Sequence, residues 1–201
     1  MEQALPNKRE ELPLRIEKSA IQELPQLRYE GRVELVQSEE ALDAAIDHLS
    51  SEAVLGFDTE TRPAFRKGVS FPVSLVQLAV HDCVYIFQLN KLKNLGGLSD
   101  LFTKKKLLKV GVALHDDVKA LQYLHDFKPV GFVELSSITR TWGIENTGLR
   151  SLAAIFLKGR VSKSVRVSNW ARSQLTDAQI TYAATDAWVA LRLYERIQAL
   201  T

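Results

Sequence analysis

Cysteine is almost absent from this chain of 201 residues: Cys83 stands alone. No internal disulfide can form, and a reducing compartment is expected, the cytoplasm or, in a eukaryote, the nucleus, and not secretion. No apolar run approaches the roughly 20 residues that a membrane span requires. The opening stretch MEQALPNKREELPLRIEK is charged where a signal peptide would be apolar. An excess of charge of one sign is lacking too, since the formal net charge of +2 is too small by itself to imply a nucleic-acid partner. Internal repeats and low-complexity segments are missing. Prolines are few but uneven, with Pro6, Pro13 and Pro25 all in the first 30 residues. Residues 1–30 therefore read as an N-terminal arm, partly extended, with Leu12, Leu14 and Ile16 able to dock on a core.

What remains, residues 31–201, has the composition of one soluble globular domain, with 46% hydrophobic and 25% charged residues overall. Arg32–Gln37 reads as a short strand, and Ser38 opens a helix through Leu49. Ala53–Phe57 is a buried strand. Val73–Val80 and Cys83–Leu89 form a hairpin turning at His81-Asp82. Leu98–Phe102 is a short helix, Leu107–Val112 a strand, His115–Phe127 a helix and Phe132–Leu135 a last strand before a mostly helical remainder. Antiparallel strands followed by strands alternating with helices indicate an α/β protein with a mixed sheet and helices on both faces.

The most informative words are acidic. Asp58 and Glu60 end the Ala53–Phe57 run one residue apart, so both project from the same face of the strand, with Cα atoms roughly 6.6 Å apart. Two such charges at a core edge repel and raise each other's pKa unless a cation lies between them. Carboxylate oxygens suit Mg²⁺ or Mn²⁺. A strand end running into a solvated acidic turn is the other reading of this pair alone.

Two further positions weigh against it. Asp116 and Asp117 lie where a strand runs into a helix; Asp116 can pair with Lys119 on the exposed side. Asp117 borders the buried face, where a carboxylate needs a partner. Thr176-Asp177-Ala178-Gln179 has the form of a capping box and marks the start of the last helix. From Ala178 to Leu191 the only charged residue in that helix is Asp186. Tyr182 lies on the same helix face, four residues earlier.

D-x-E on a strand, an Asp at a strand–helix junction and Y-x₃-D on a late helix together resemble the DEDDy family of 3′-5′ exonucleases. The resemblance is nearest to the exonuclease domain of the Werner syndrome protein, and next to ribonuclease D. It also rests on Val76-Gln77-Leu78, Val110-Gly111-Val112, Ser168-Asn169-Trp170 and Tyr182-Ala183-Ala184-Thr185-Asp186-Ala187. It implies a ribonuclease-H-like fold with a mixed five-stranded sheet. It further implies two divalent ions, Mg²⁺ or Mn²⁺, with Asp58 bridging both and Glu60 and Asp186 completing the site that activates water. Asp117 would hold the second ion and Tyr182 would position the water. The reaction implied is hydrolysis from a free 3′ end to nucleoside 5′-monophosphates.

Positive charge near this centre would grip the strand. The segment Lys158–Arg172 carries five basic residues, no acid and Trp170, so Lys163, Arg166 and Trp170 are expected nucleic-acid contacts, with packing in the core, favoured for the ring itself over stacking on a base, as the other reading of Trp170. Arg62 and Arg66, which follow the first motif directly, are expected to flank the strand as well. DNA is favoured over RNA because the chain has no helicase motifs and lacks ribonuclease D's additional helical domain. As the chain ends directly after the last helix, a helicase or repair partner would be a separate protein. The alternatives are ribonuclease-D-like trimming of RNA 3′ ends, or a catalytically silent nucleic-acid- or protein-binding module of the same fold.

Overall fold

A computed structural model describes residues 12–201. The part of the N-terminal arm formed by residues 1–11 lies outside the described residues. The elements follow in the order α1 (Lys18–Gln22), β1 (Arg32–Val36), α2 (Glu39–Ser50), β2 (Val54–Thr61), β3 (Val73–Ala79), β4 (Cys83–Gln88) and α3 (Gly96–Thr103). After these come β5 (Leu108–Gly111), α4 (Leu114–Leu124), β6 (Phe132–Glu134), α5 (Leu135–Thr141), α6 (Leu149–Leu157) and α7 (Asp177–Gln198). The sheet order is β1-β4-β3-β2-β5-β6. β3 runs antiparallel to both β2 and β4, and the remaining pairs are parallel. The five strands implied by the family resemblance are thus six among the described residues. The extra strand is β1, which adds a parallel edge to β4, on the side of the sheet away from β5 and β6.

Helices cover both faces, as expected for strands as completely buried as β3 and β4. On one face Leu42 and Leu49 of α2, Leu98 and Phe102 of α3, and Leu114, Val118 and Leu121 of α4 pack over Leu55, Phe57, Val76 and Leu78. Phe57 is gripped edge-on by Phe102 and Phe132 at centroid distances of 5.8 and 5.4 Å. On the other face Ala183, Ala184, Ala187 and Leu191 of α7 pack over Leu75, Ala79, Val84 and Ile86. The pleat of β2 thus sends Leu55 and Phe57 under α2–α4 and turns Gly56, Asp58 and Glu60 toward α7.

Three local signals hold as read. Ser38 caps α2 through the Ala41 N–H, Thr176 and Gln179 form a reciprocal capping box, and the β3–β4 hairpin closes from the Val80 N–H to the Cys83 carbonyl. Residues 12–30 lie along the domain. The Ile16 N–H donates to Asn146 Oδ1 at 3.0 Å, the Arg160 N–H to the Pro25 carbonyl at 2.9 Å and the Tyr29 N–H to Thr185 Oγ1 at 3.1 Å. Leu12 and Ile16 join the α6–α7 core, whereas Leu14 stays 52% exposed. A second departure from pattern is Lys109 of β5, which is fully buried. Its ammonium donates to the carbonyls of Leu101, Lys104 and Leu107, closing the C-terminal end of α3 from inside.

The close approach of α7 to β2 depends on Gly56. A Cβ there would stand 2.2 Å from the Ala187 carbonyl oxygen and 2.8 Å from Leu191 Cβ. Gly56→Ala must push the helix off the strand, with an expected loss of about 1–3 kcal/mol. Thermal unfolding should report it as about 2–4 °C for each kcal/mol. An unchanged Tm would show that the helix does not rest on the strand this closely.

Candidate active site

Because α7 lies directly on β2, Asp186 comes down beside Asp58 and Glu60. Oxygens of these three carboxylates lie within 4.8 Å of one another. Glu60 and Asp186 keep only 9% and 6% of their surface exposed, and Asp186 Oδ1 is buried with no hydrogen-bond partner. Asp117 reaches the centre from the other face. Thr59, between the two acids on β2, points away from them, and its hydroxyl donates to Asp117 Oδ1. Asp116 is exposed, so of the doublet it is Asp117 that faces the site.

The first turn of α4, which carries Asp117, is held by a residue that sequence reasoning missed. Ala113 precedes the helix in the left-handed region (φ 63°) and offers no capping side chain. The Glu134 carboxylate takes that place, accepting from the N–H groups of Ala113 and Leu114 at 3.0 and 2.7 Å and from Ser136 as well. Burial pushes the Glu134 carboxyl up, but these hydrogen bonds outweigh it and hold it below its ordinary value.

The acidic cluster itself is electrostatically unfavourable. Burial, then the charges of Asp186, Glu60 and Asp117, raise Asp58 well above the usual carboxylate range. Glu60 is pushed up to about 9 by burial and by Asp186 and Asp117, with Arg166 opposing. Asp186 rises to about 7 through burial, despite the Tyr182 hydroxyl directed at it and the charge of Arg150. Asp117 is raised by burial, against the hydrogen bond from Thr59. None of these four acids has an ion pair with Lys, Arg or His among the described residues. A set of hard oxygen donors, mutually repelling and with one buried oxygen unsatisfied, fits divalent cations such as Mg²⁺ or Mn²⁺.

The four acids and Tyr182 line one open cleft of about 520 Å³. Lys163 and Arg166 line it too, so two of the expected nucleic-acid contacts share the cleft with the acids. Arg62 and Arg66 do not. They line an adjoining groove with Phe65, Phe71 and Val167, where the Arg62 guanidinium lies 4.5 Å from the Phe71 ring centre. Trp170 is a correction, because its side chain has no exposed surface and cannot touch a strand. It packs under Tyr182, with centroids 5.8 Å apart, and so supports the site from inside. Gln179, also buried, fixes this loop through Ser168 Oγ and the Asn169 carbonyl.

The cleft also contains residues that sequence reasoning passed over. Lys18 and Ile21 of α1 form part of its wall, and Arg150 reaches it from α6. Arg150 had a legible signal: a cation in the first turn of a helix opposes the macrodipole and calls for an anion.

A mixed sheet carrying carboxylates at the end of a central strand, faced by a helix that supplies Y-x₃-D, defines a domain of the ribonuclease-H-like fold. Residues 33–201 match the 3′-5′ exonuclease family, to which the chain therefore belongs. The bifunctional 3′-5′ exonuclease/ATP-dependent helicase WRN of Mus musculus is 32% identical over 198 residues, covering 90% of this chain and 14% of that protein. Ribonuclease D of Acidiphilium cryptum is 29% identical over 169 residues, covering 82% of this chain and 42% of that protein. The chain thus spans less than half the length of both curated relatives. Among solved structures, the Nibbler EXO domain of Aedes aegypti superposes with a TM-score of 0.78 at 26% identity, covering 88% of this chain and 91% of that one.

The raised carboxyls carry a sign. From the ordinary Glu value of 4.5 up to about 9, the folded chain holds a proton on Glu60 that the unfolded chain has released. Stability contributed below this window is lost as pH rises through it. In chelator, Tm should therefore fall from pH 5 to pH 9, and Asp58→Asn should raise it at pH 8 by about 2–4 °C for each kcal/mol of repulsion removed. A Tm that Asp58→Asn leaves unchanged or lowers at pH 8 would contradict the repulsion.

Proposed function

We propose that this domain hydrolyses the terminal phosphodiester of a nucleic-acid strand from its free 3′ end, releasing nucleoside 5′-monophosphates. The observation that carries this reading is the juxtaposition in one cleft of the carboxylates of Asp58, Glu60 and Asp186 with the cations of Lys163 and Arg166. The acids suit the reacting centre and the cations suit a polyanionic strand. Family membership supports the direction of attack.

Two divalent ions, Mg²⁺ or Mn²⁺, would be held by Asp58, Glu60 and Asp186, with Asp117 from the opposite face. When bound, they would lower the pKa of a water and neutralise charge on the departing 3′ oxygen. Water adds to phosphorus, the bond from phosphorus to the 3′ oxygen breaks, and that oxygen leaves as the hydroxyl of a strand one nucleotide shorter. Tyr182 acts as a donor and not as a base: burial, then the charges of Asp186, Glu60 and Asp58, raise its hydroxyl above its ordinary value. It therefore stays protonated and can orient the attacking water. Thr59 holds Asp117, and Glu134 holds the helix that carries it. Lys163 and Arg166 neutralise strand phosphates.

DNA is proposed ahead of RNA; the cations of the cleft suit phosphates, which both strands carry, so the comparison of matched strands below decides between them. A helicase or repair activity is a proposed partner, supported by the helicase named together with the exonuclease in the mouse relative. The test is incubation with 5′-labelled DNA and RNA, single-stranded and recessed, with Mg²⁺, Mn²⁺ or chelator. A metal-dependent ladder shortening from the 3′ end is expected, and no ladder on any strand would overturn the reading. Asp58→Ala should abolish cleavage with the fold retained. Tyr182→Phe should lower kcat by roughly tenfold to a hundredfold, the loss of one oriented hydrogen bond. A fully active Tyr182→Phe would remove the tyrosine from the mechanism.

A further inference from the structure

We infer that Arg150 is a phosphate-binding residue of this cleft, set to take the non-bridging oxygens of the phosphate at the carboxylate centre; the inference rests on the hydrolase reading above. Arg150 is the second residue of α6, whose first turn contains no acid and whose N-terminus has no capping side chain. A cation there is disfavoured by the helix dipole, so local helix stability does not account for it. It is half-buried, and it lines the cleft with Asp58, Glu60, Asp186, Lys163 and Arg166.

The side chain is also held still. Nε donates to the Val161 carbonyl at 2.9 Å, tying the guanidinium to the loop that carries Lys163 and Arg166. Among the described residues that bond leaves both Nη groups uncommitted, and Arg150 makes no ion pair with any carboxylate. Yet it lines the same cleft as Asp186 and Lys163. An anchored guanidinium beside the acidic centre, but not in contact with it, leaves space between the two for an anion. The planar fork suits a phosphate, which accepts two parallel hydrogen bonds. Room exists at the helix end as well, since a Cβ on Gly148, directly before α6, would meet nothing within 4 Å. Lys163 and Arg166 are additional charge along the strand; Arg150 is the residue fixed in orientation.

Binding of a nucleoside 5′-monophosphate, the product, tests this without turnover. Calorimetric titration in Mg²⁺ would compare wild type, R150Q and R150K, each against the monophosphate and against the parent nucleoside. R150Q should weaken monophosphate binding by roughly tenfold to a hundredfold, the range of a charge-assisted hydrogen bond, and leave nucleoside binding unchanged. R150K, which keeps the charge without the fork, should recover only part of the loss. Thermal unfolding checks that each variant is folded. If R150Q does not fold, R150K decides: monophosphate affinity equal to wild type overturns the proposal. Equal affinity in R150Q, equal loss for nucleoside and monophosphate, or no monophosphate binding by wild type also overturns it. If wild type shortens strands but R150Q binds product normally, only this inference fails. If wild type cleaves nothing while monophosphate binding depends on Arg150, only the hydrolase reading fails.

Discussion

The contact of α7 with β2 across Gly56 is the constraint on which the rest depends. A helix normally stands off a sheet by the thickness of its side chains. Here the strand offers no Cβ and the helix offers Ala183 and Ala187, so the backbone of α7 comes within reach of the strand. Asp186, on the next turn from Tyr182, is thereby lowered onto the row of Asp58 and Glu60. The apolar alternation of β2 fixes the other half of the geometry. Burial of Leu55 and Phe57 on one face obliges Asp58 and Glu60 to face the helix. Core packing alone brings the three acids together, although their charges oppose it.

That opposition carries the function. The same burial that stabilises the fold raises Glu60 to about 9 and Asp186 to about 7. Near neutral pH the acids therefore hold protons that a dication would displace. The cations of the cleft do not relieve the repulsion by ion pairing, since among the described residues none of them forms an ion pair with these acids. They stay available for a polyanion, and the cleft is polarised, with acids at its floor and Lys163, Arg166 and Arg150 around it. A site stable without metal would need fewer acids or a lysine among them.

Much of this was legible in the sequence, for physical reasons. Asp58 and Glu60 could be placed on one face because strand periodicity leaves no choice. Asp117 could be separated from Asp116 because a core-bordering carboxylate needs a partner, and Thr59 is that partner. The capping box marked the start of α7. Other features depend on distant contacts that no local pattern shows. Trp170 sits in a basic stretch that suggested a strand contact, but packing under Tyr182 buries it completely. Glu134 caps a helix 20 residues upstream of it, and Lys18 reaches the cleft only because residues 12–30 fold back over the domain. Arg32–Gln37 was legible as a strand, but its place in the sheet was not, because its partner β4 lies some 50 residues further along the chain.

The central claim is that packing forces these acids together in partly protonated form and that a divalent cation resolves the repulsion. Calorimetric titration with Mn²⁺ near pH 7, repeated in buffers of different ionisation enthalpy, tests it most directly. Binding should release about one proton per chain or more, with release falling as pH approaches 9 and binding lost in Asp186→Asn. Mn²⁺ binding without proton release, or binding indifferent to Asp186→Asn, would contradict the account.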